Sequence, residues 1–337
     1  MSKETANRNK FKRNHSVEGM LVRICHHDTQ GLSNDATILR SALNQAYPEV
    51  FITVVSYPET ELNVKNDEEK VDVQFFLEHV NLAFIHKSQK NIFITNPEWM
   101  NKLDIDMGRS NIVQTIVAKT KSGFDTLRVI FPSKTEYWGW TSIDRRDETI
   151  WKTYDEFLHI KGCSPFKNTQ LLMDTWLTHP EWPLLHIVSY GEPDINGYID
   201  INRPFVKVTD NIRLYQRKLS ETELNNLMNR TGVHLCPSAM EGFGHYINEA
   251  RSCGSLVLTT HGFPMSEFVR NQKHLLVRTS LPKHRSLGLK YEISQFDLEE
   301  TIHDIIDTPL VEKKNTGHLL RKFYDEDRML FLSSVKI

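Results

Sequence analysis

Short apolar runs alternate with stretches of helical spacing along most of the chain after Met20. In the first half, runs rich in Val, Ile and Phe predict strands at 21–25, 50–55, 71–76, 82–85, 92–95 and 112–118. Helical spacing predicts helices at 36–46, with Asp35 as the N-cap, and at 124–131. This alternation predicts a parallel sheet with helices on both faces.

The stretch 132–148 has no clear period and is predicted to connect two domains. A second series follows, with strands predicted at 156–160, 184–189, 212–215, 233–236, 256–258 and 275–277. Its predicted helices are 169–178, 220–228, 245–252, 298–306 and 319–332, and Ser220 with Glu223 forms a capping box at the start of the second.

The pattern therefore predicts two α/β units in tandem. We place a polar arm at 1–17, an N-terminal Rossmann-like domain at 18–147 and a C-terminal one at 148–316. Residues 317–337 are predicted to form a last helix that packs back on the N-terminal domain.

Charge, cysteine spacing and the length of the apolar runs argue against several classes of protein. The 337 residues carry 41 Lys and Arg against 43 Asp and Glu, so the net charge of −2 gives no general attraction to nucleic acid. The four cysteines are scattered without zinc-ligand spacing, which indicates a reducing compartment. With no apolar run long enough to cross a bilayer, we expect a soluble cytoplasmic protein, with peripheral membrane contact left open.

The segment 237–250 carries the clearest chemical pattern. A predicted buried strand ends at Pro237, and a helix is predicted to start near Gly244. Gly242 and Gly244 let the backbone approach a ligand closely, and the free N–H groups of the helix form an anion site. The carboxylates of Glu241 and Glu249 can accept hydrogen bonds from vicinal hydroxyls. A site that binds a phosphate with hydroxyl groups on either side of it suits a nucleotide-sugar.

The run Pro-Ser-x-x-Glu-Gly-Phe-Gly, followed by Glu249 eight positions after Glu241, resembles the E-x7-E signature of retaining GT-B glycosyltransferases of group 4 type. The resemblance continues through the turn at 261–264 to Glu267. It implies a GT-B fold, in which two Rossmann-like domains face each other across a cleft. The N-terminal half resembles the family only in its strand and helix order.

The resemblance also implies roles. Glu241, the predicted catalytic residue, would bind hydroxyls of the donor sugar beside the anomeric carbon, and Glu249 would hold the ribose. The backbone of Gly242, Phe243 and Gly244 would lie along the sugar and diphosphate. Lys167 matches the family's lysine near the diphosphate, Lys161 is the nearest substitute for the family's arginine, and Leu219 lies in the segment beside the nucleotide base.

On the N-terminal side the resemblance suggests three further positions. Gly31 stands where relatives carry a glycine-rich loop, His86 is a candidate for a histidine near the donor sugar, and Glu98 follows a strand end on the acceptor side. An ordinary turn glycine, a structural histidine and a turn acid are the alternatives at these positions.

We therefore expect transfer of a hexose, with retention, from a UDP- or GDP-sugar to a hydroxyl acceptor that is a glycan, lipid-linked or protein-linked. No cofactor and no metal are expected, because the D-x-D triplet at 104–106 has little force by itself. A catalytically silent nucleotide-sugar-binding module and another GT-B enzyme, such as an epimerase or a phosphorylase, are the alternatives.

Overall fold

The computed structural model describes residues 19–58, 69–162, 164–191, 197 and 199–337. The predicted arm at 1–17 and Cys163 lie outside these ranges. Six parallel strands form the N-terminal sheet in the order β2-β1-β3-β4-β5-β6. They are β1 (Leu21–His27), β2 (Phe51–Tyr57), β3 (Val71–Leu77), β4 (Ser88–Thr95), β5 (Thr115–Ala118) and β6 (Thr135–Tyr137).

Helices cover this sheet because its central strands are buried and apolar. They are α1 (Gln30–Ala46), α2 (Lys102–Arg109) and α3 (Lys121–Ile130), and one 3₁₀ turn spans Pro97–Trp99. All parallel strands end at the same edge of the sheet, so the residues after β1, β3, β4 and β5 come together there. That edge faces the second domain.

The C-terminal sheet has the order β13-β12-β11-β7-β8-β10-β9 and is parallel except for β9. Its strands are β7 (Thr153–Ile160), β8 (Leu184–Val188), β9 (Val206–Thr209), β10 (Ile212–Tyr215), β11 (Thr231–Cys236), β12 (Leu256–Thr260) and β13 (Leu276–Val277). A separate hairpin is formed by β14 (Lys283–Arg285) and β15 (Gly288–Lys290). The helices are α4 (Thr169–Leu177), α5 (Glu221–Arg230), α6 (His245–Ser252), α7 (Met265–Val269), α8 (Gln295–Asp307) and α9 (Leu310–Ser334).

Most predicted elements are confirmed, including the capping box of Ser220 and Glu223 at α5. The predicted N-cap of α1 is wrong. The Thr29 hydroxyl accepts a hydrogen bond from Leu32 N at 3.3 Å, so the helix begins at Gln30 instead of Ala36 and Asp35 lies inside it. The predicted strand 82–85 is also wrong, because these residues form turns that bury Phe84 and Ile85 before β4.

Two differences concern length and connection. The strand predicted over 112–118 begins only at Thr115, and the predicted connection 132–148 contains β6, the last strand of the first sheet. Periodicity missed β6 because three half-buried residues give no readable alternation.

Helix α9 spans the two domains. It packs on α6, α7 and β12 of the C-terminal domain. Further along, Arg321 binds Asp144, Tyr324 donates a hydrogen bond to Ser142 O at 2.7 Å, and the Phe331 ring lies 4.7 Å from that of Trp140. Within the described ranges, no helix combines the length and apolar character that spanning a membrane requires.

Candidate active site

The loop between β11 and α6 lies at the carboxyl edge of the C-terminal sheet. Gly244 caps α6 with a φ of +88°, a conformation that side chains with a Cβ rarely adopt. At Gly242 the reason for glycine is space, because a Cβ there would lie 2.4 Å from Glu98 Oε1 and 2.6 Å from Asn96 Cγ. Gly244 is thus required for its backbone conformation, and Gly242 is required because the N-terminal domain packs closely against it.

Glu241 points into the protein and pairs with Lys167. The two side chains are 12% and 11% exposed. Ser238 Oγ donates to Glu241 Oε1 at 2.5 Å, and Lys167 Nζ lies 3.5 Å from the centre of the Tyr246 ring. The structure therefore brings Glu241 and Lys167 together, 74 positions apart in sequence, beside the helix N-terminus. An anion bound there would compete with Glu241 for the ammonium group.

Glu249 lies on the same helix and is buried. Arg145 Nε lies 3.7 Å from Glu249 Oε2, and Arg145 Nη1 donates a hydrogen bond to Glu221 Oε2 at 2.5 Å. Burial raises the pKa of the Glu249 carboxyl, and the Arg145 charge opposes that rise. No pattern in the sequence pointed to Arg145, which comes from the connection between the domains.

The remaining predicted residues of this domain differ in position. The Phe243 ring packs against His245 and Phe268, at centroid distances of 5.2 and 5.3 Å, so only its backbone can face a ligand. Lys161 follows β7 at the carboxyl edge. Burial lowers the pKa of His159 to about 4, and the charges of Lys167 and Lys161 act in the same direction. Leu219 is half-buried against the apolar cluster under α5. The roles predicted for them stay predictions.

Glu98 is the N-terminal residue that meets this loop. It is 4% exposed and lies directly against Gly242. Burial raises the pKa of its carboxyl to about 8, and the charges of Glu78 and Glu241 act in the same direction. Glu98 therefore carries a proton at neutral pH and can donate a hydrogen bond as well as accept one.

Two N-terminal predictions do not hold. Gly31 is an exposed residue in the first turn of α1 and not part of a loop, because Thr29 starts the helix early. His86 is exposed and lies just before β4, at the amino edge of the sheet, because β4 follows it and runs parallel to β3. It is thus on the edge opposite the one that faces the C-terminal loop.

His79 is the histidine at the carboxyl edge. It follows β3, and its Nδ1 lies 2.7 Å from Asp104 Oδ2. Asp104 also accepts from Val80 N and forms the capping box of α2, so the first acid of the D-x-D triplet is used within the domain. Among the described residues, no group of three or more His, Cys, Asp or Glu side chains is placed to hold a metal ion.

Sequence reasoning missed a buried network that joins the domains. Asp35 Oδ2 pairs with Lys119 Nζ at 2.5 Å, while its Oδ1 accepts from Trp140 Nε1 at 2.5 Å and contacts His245 Nε2 at 2.9 Å. Burial raises the pKa of Asp35, but Lys119 and His245 outweigh it and hold that pKa well below its usual range. His245 is the first residue of α6, so this network fixes the start of the helix.

Two more contacts cross the interface. The carboxylate of Glu267 accepts hydrogen bonds from Lys121 N at 2.9 Å and Ser122 N at 2.8 Å, which caps the N-terminus of α3. The tip of the β14–β15 hairpin reaches the N-terminal domain, where Leu287 N donates to Pro97 O at 3.2 Å. The segment that carries Glu98 is thus held between the loop that carries Gly242 and this hairpin.

One segment of the chain resembles a known family, and the whole chain is similar in fold to several solved structures. Residues 205–291 match the family described as glycosyl transferases group 1. No curated protein matches the chain. Among solved structures, OtsA in its apo form is similar with a TM-score of 0.62 at 9% identity, over 95% of this chain and 99% of that one.

Two further structures are similar. HepE from Anabaena, in complex with UDP-glucose, gives a TM-score of 0.61 at 12% identity, over 92% of this chain and 97% of that one. The GtfA/B complex gives 0.58 at 14% identity, over 79% of this chain, which spans 56% of the length of that one.

Two Rossmann-like domains whose carboxyl edges face each other define a GT-B protein. Within that fold, the segment 205–291 of the C-terminal domain is similar to glycosyl transferases group 1.

Proposed function

We propose that this protein transfers a hexose from a nucleoside-diphosphate sugar to a hydroxyl acceptor. The observation that carries the proposal is the Glu241–Lys167 pair beside the glycine loop at the start of α6. A helix N-terminus with a lysine next to it suits a diphosphate, and a carboxylate beside both suits the hydroxyls of the attached sugar. HepE, a protein similar in fold, is known in complex with UDP-glucose, which favours a UDP-sugar as the donor.

In this proposal, charge develops on the diphosphate as the bond to the sugar breaks. The N–H groups at the start of α6, Lys167 and Lys161 stabilise that charge, and they are fixed before the reaction. The diphosphate takes the place of Glu241 at Lys167, and Glu241 then turns to the sugar hydroxyls. Glu249 holds the ribose.

Retention of configuration and independence from metal belong to the same proposal. Glu241 is engaged with Lys167 and Ser238, which suits binding more than nucleophilic attack. We propose that the acceptor hydroxyl attacks from the side that the diphosphate leaves. The acceptor, a glycan or a lipid-linked or protein-linked sugar, enters past Glu98, whose neutral carboxyl can bond a hydroxyl in either direction.

A panel of UDP-, GDP- and ADP-sugars tests the proposal through release of free nucleoside diphosphate. We expect release from a UDP-sugar, and Glu241→Ala is expected to lower it by at least about a hundredfold, since a charge-assisted contact at the reacting sugar is lost. Glu300→Ala, an exposed acid on α8, is the matched control.

Three results would count against it. Near-normal turnover in Glu241→Ala would remove this residue from the site. Donor binding without release, seen as a rise in melting temperature alone, would favour the silent binding module. Activity lost in excess chelator and restored by manganese would overturn metal independence.

A further inference from the structure

A cavity lies at the edge of the C-terminal sheet opposite the loop that carries Gly242 and Gly244. It has a volume of about 520 Å³ and is lined by the segment 146–152, the start of β7, the end of α5, the turn at Gly254 and the first half of α9. The residues at the start of β7 and those just before β11 and β12 lie at the amino edge of the sheet. The glycine loop, residues 237–244, lies at the carboxyl edge. The six residues of β11 separate the two by about 20 Å at the usual rise of a strand.

The cavity has the size of a small-molecule site, and cationic side chains are prominent in its lining. Volumes of about 300 to 1,000 Å³ are typical of such sites. Four cations, Arg146, Lys152, Lys314 and Arg321, line it together with His318, against the two acids Asp147 and Glu148. Trp151 lines it as well, and its indole is 84% exposed.

Lys152 is the most informative of these side chains. Its Nζ donates to Asn229 O at 2.6 Å and to Ser255 Oγ at 3.0 Å, and it has no carboxylate partner in the described part of the chain. An ammonium group has three donors, so one is left for the cavity. Burial lowers the pKa of Lys152 to about 8, and the nearby charge of Arg146 opposes protonation as well.

A partly buried cation without a counter-charge is unfavourable, and an anion in the cavity would offset that cost. The side chains of Lys314 and His318, one turn apart on α9 and both exposed, also make no ion pair or hydrogen bond with other described residues. Arg321, by contrast, already forms ion pairs with Asp144 and Asp325. Lys152, Lys314 and His318 are therefore the groups available to an anion.

We propose that this cavity binds a small phosphorylated molecule, with the phosphate held by Lys152, Lys314 and His318 and its polar body packed on Trp151. Phosphate supplies the acceptor oxygens that three cationic or titratable donors can share. The exposed indole gives a flat apolar face for the rest of the molecule. The site does not depend on the proposed transferase activity.

Calorimetric titration of the full chain with glucose 6-phosphate, inorganic phosphate and glucose tests this assignment. Glucose 6-phosphate is expected to bind more tightly than inorganic phosphate, and glucose is expected not to bind. The double variant Lys314→Glu and His318→Glu should weaken glucose 6-phosphate by about tenfold or more, since it replaces two donors with charges of the wrong sign. Lys322→Glu, an exposed lysine on the same helix outside the cavity, is the matched control.

The location is tested separately. Glucose 6-phosphate should change the tryptophan emission of the wild type, and Trp151→Phe should remove that change while the heat of binding persists. Glu241→Ala should leave the affinity unchanged, which separates this site from the glycine loop.

The opposite results would overturn the proposal. These are no heat with either phosphate at millimolar concentration, equal affinity for the two phosphates, or binding that Glu241→Ala abolishes and the double variant does not. Constant emission during binding would likewise place the phosphate outside the cavity.

Discussion

The carboxyl edges of the two sheets face the same interface, but they balance charge in different ways. At the C-terminal edge each acid meets a cation from another element, Glu241 with Lys167 and Glu249 with Arg145. At the N-terminal edge Asp35 is paired with Lys119, whereas Glu98 has no ion pair among the described residues and is almost fully buried. The Asp35–Lys119 pair leaves neither charge free for a ligand, whereas the carboxyl of Glu98 has no cation to satisfy it.

Asp35→Ala is the sharpest way to break the structural side of this comparison. It leaves Lys119 buried without its partner and releases Trp140 and His245. The free energy of unfolding should fall by about 3 to 5 kcal/mol. Urea denaturation measures it, with Asp307→Ala on the exposed end of α8 as the control. A loss below about 1 kcal/mol would show that the network does not hold the domains together.

Gly242→Ala tests the contact between the two edges. Its Cβ must displace Glu98 and Asn96, which typically costs about 1 to 3 kcal/mol where packing is tight. We expect kcat/KM for nucleoside-diphosphate release to fall by at least about tenfold, since the displaced segment faces the reacting sugar. Gly31→Ala is the control for stability, because this exposed helical position has open space for a Cβ. Its melting temperature should stay the same or rise. Full activity in Gly242→Ala would show that the contact is not needed in catalysis.

Glu98→Gln has the smallest expected effect and tests the unpaired acid. The folded-state pKa of Glu98, about 8, exceeds its ordinary value of 4.5, so the folded protein binds more protons between these pH values. The contribution of Glu98 to stability is therefore greatest below about pH 4.5 and is lost as the pH rises towards 8. Glutamine stays neutral, so the variant should lose less melting temperature across this window than the wild type. Identical pH profiles would contradict the raised pKa.

Local patterns predicted most of the fold. Apolar runs located the central strands, and the Ser220 and Glu223 spacing fixed the start of α5. They failed where the signal was short or ambiguous. The half-buried residues of β6 show no period, and both Thr29 and Asp35 are suitable N-caps whose choice depends on what Asp35 contacts in space.

The candidate site divides in the same way. Sequence spacing placed Glu241, Gly242, Gly244 and Glu249 close together because one loop and one helix carry them, and the roles predicted for them stay predictions. Local patterns were misleading for His86. A strand was predicted before it, at 82–85, whereas the strand β4 begins after it at Ser88, which puts His86 at the amino edge of the sheet. Local patterns also gave no sign of Arg145 or Asp35, whose partners lie far away along the chain.

By itself the sequence determined two α/β units and the glycine loop with its flanking acids, because period, caps and glycine spacing are local properties of the chain. Only the tertiary structure decided which acids are paired and which is protonated. Burial and the distance between charges set those states, and both depend on residues that folding brings together from separate elements.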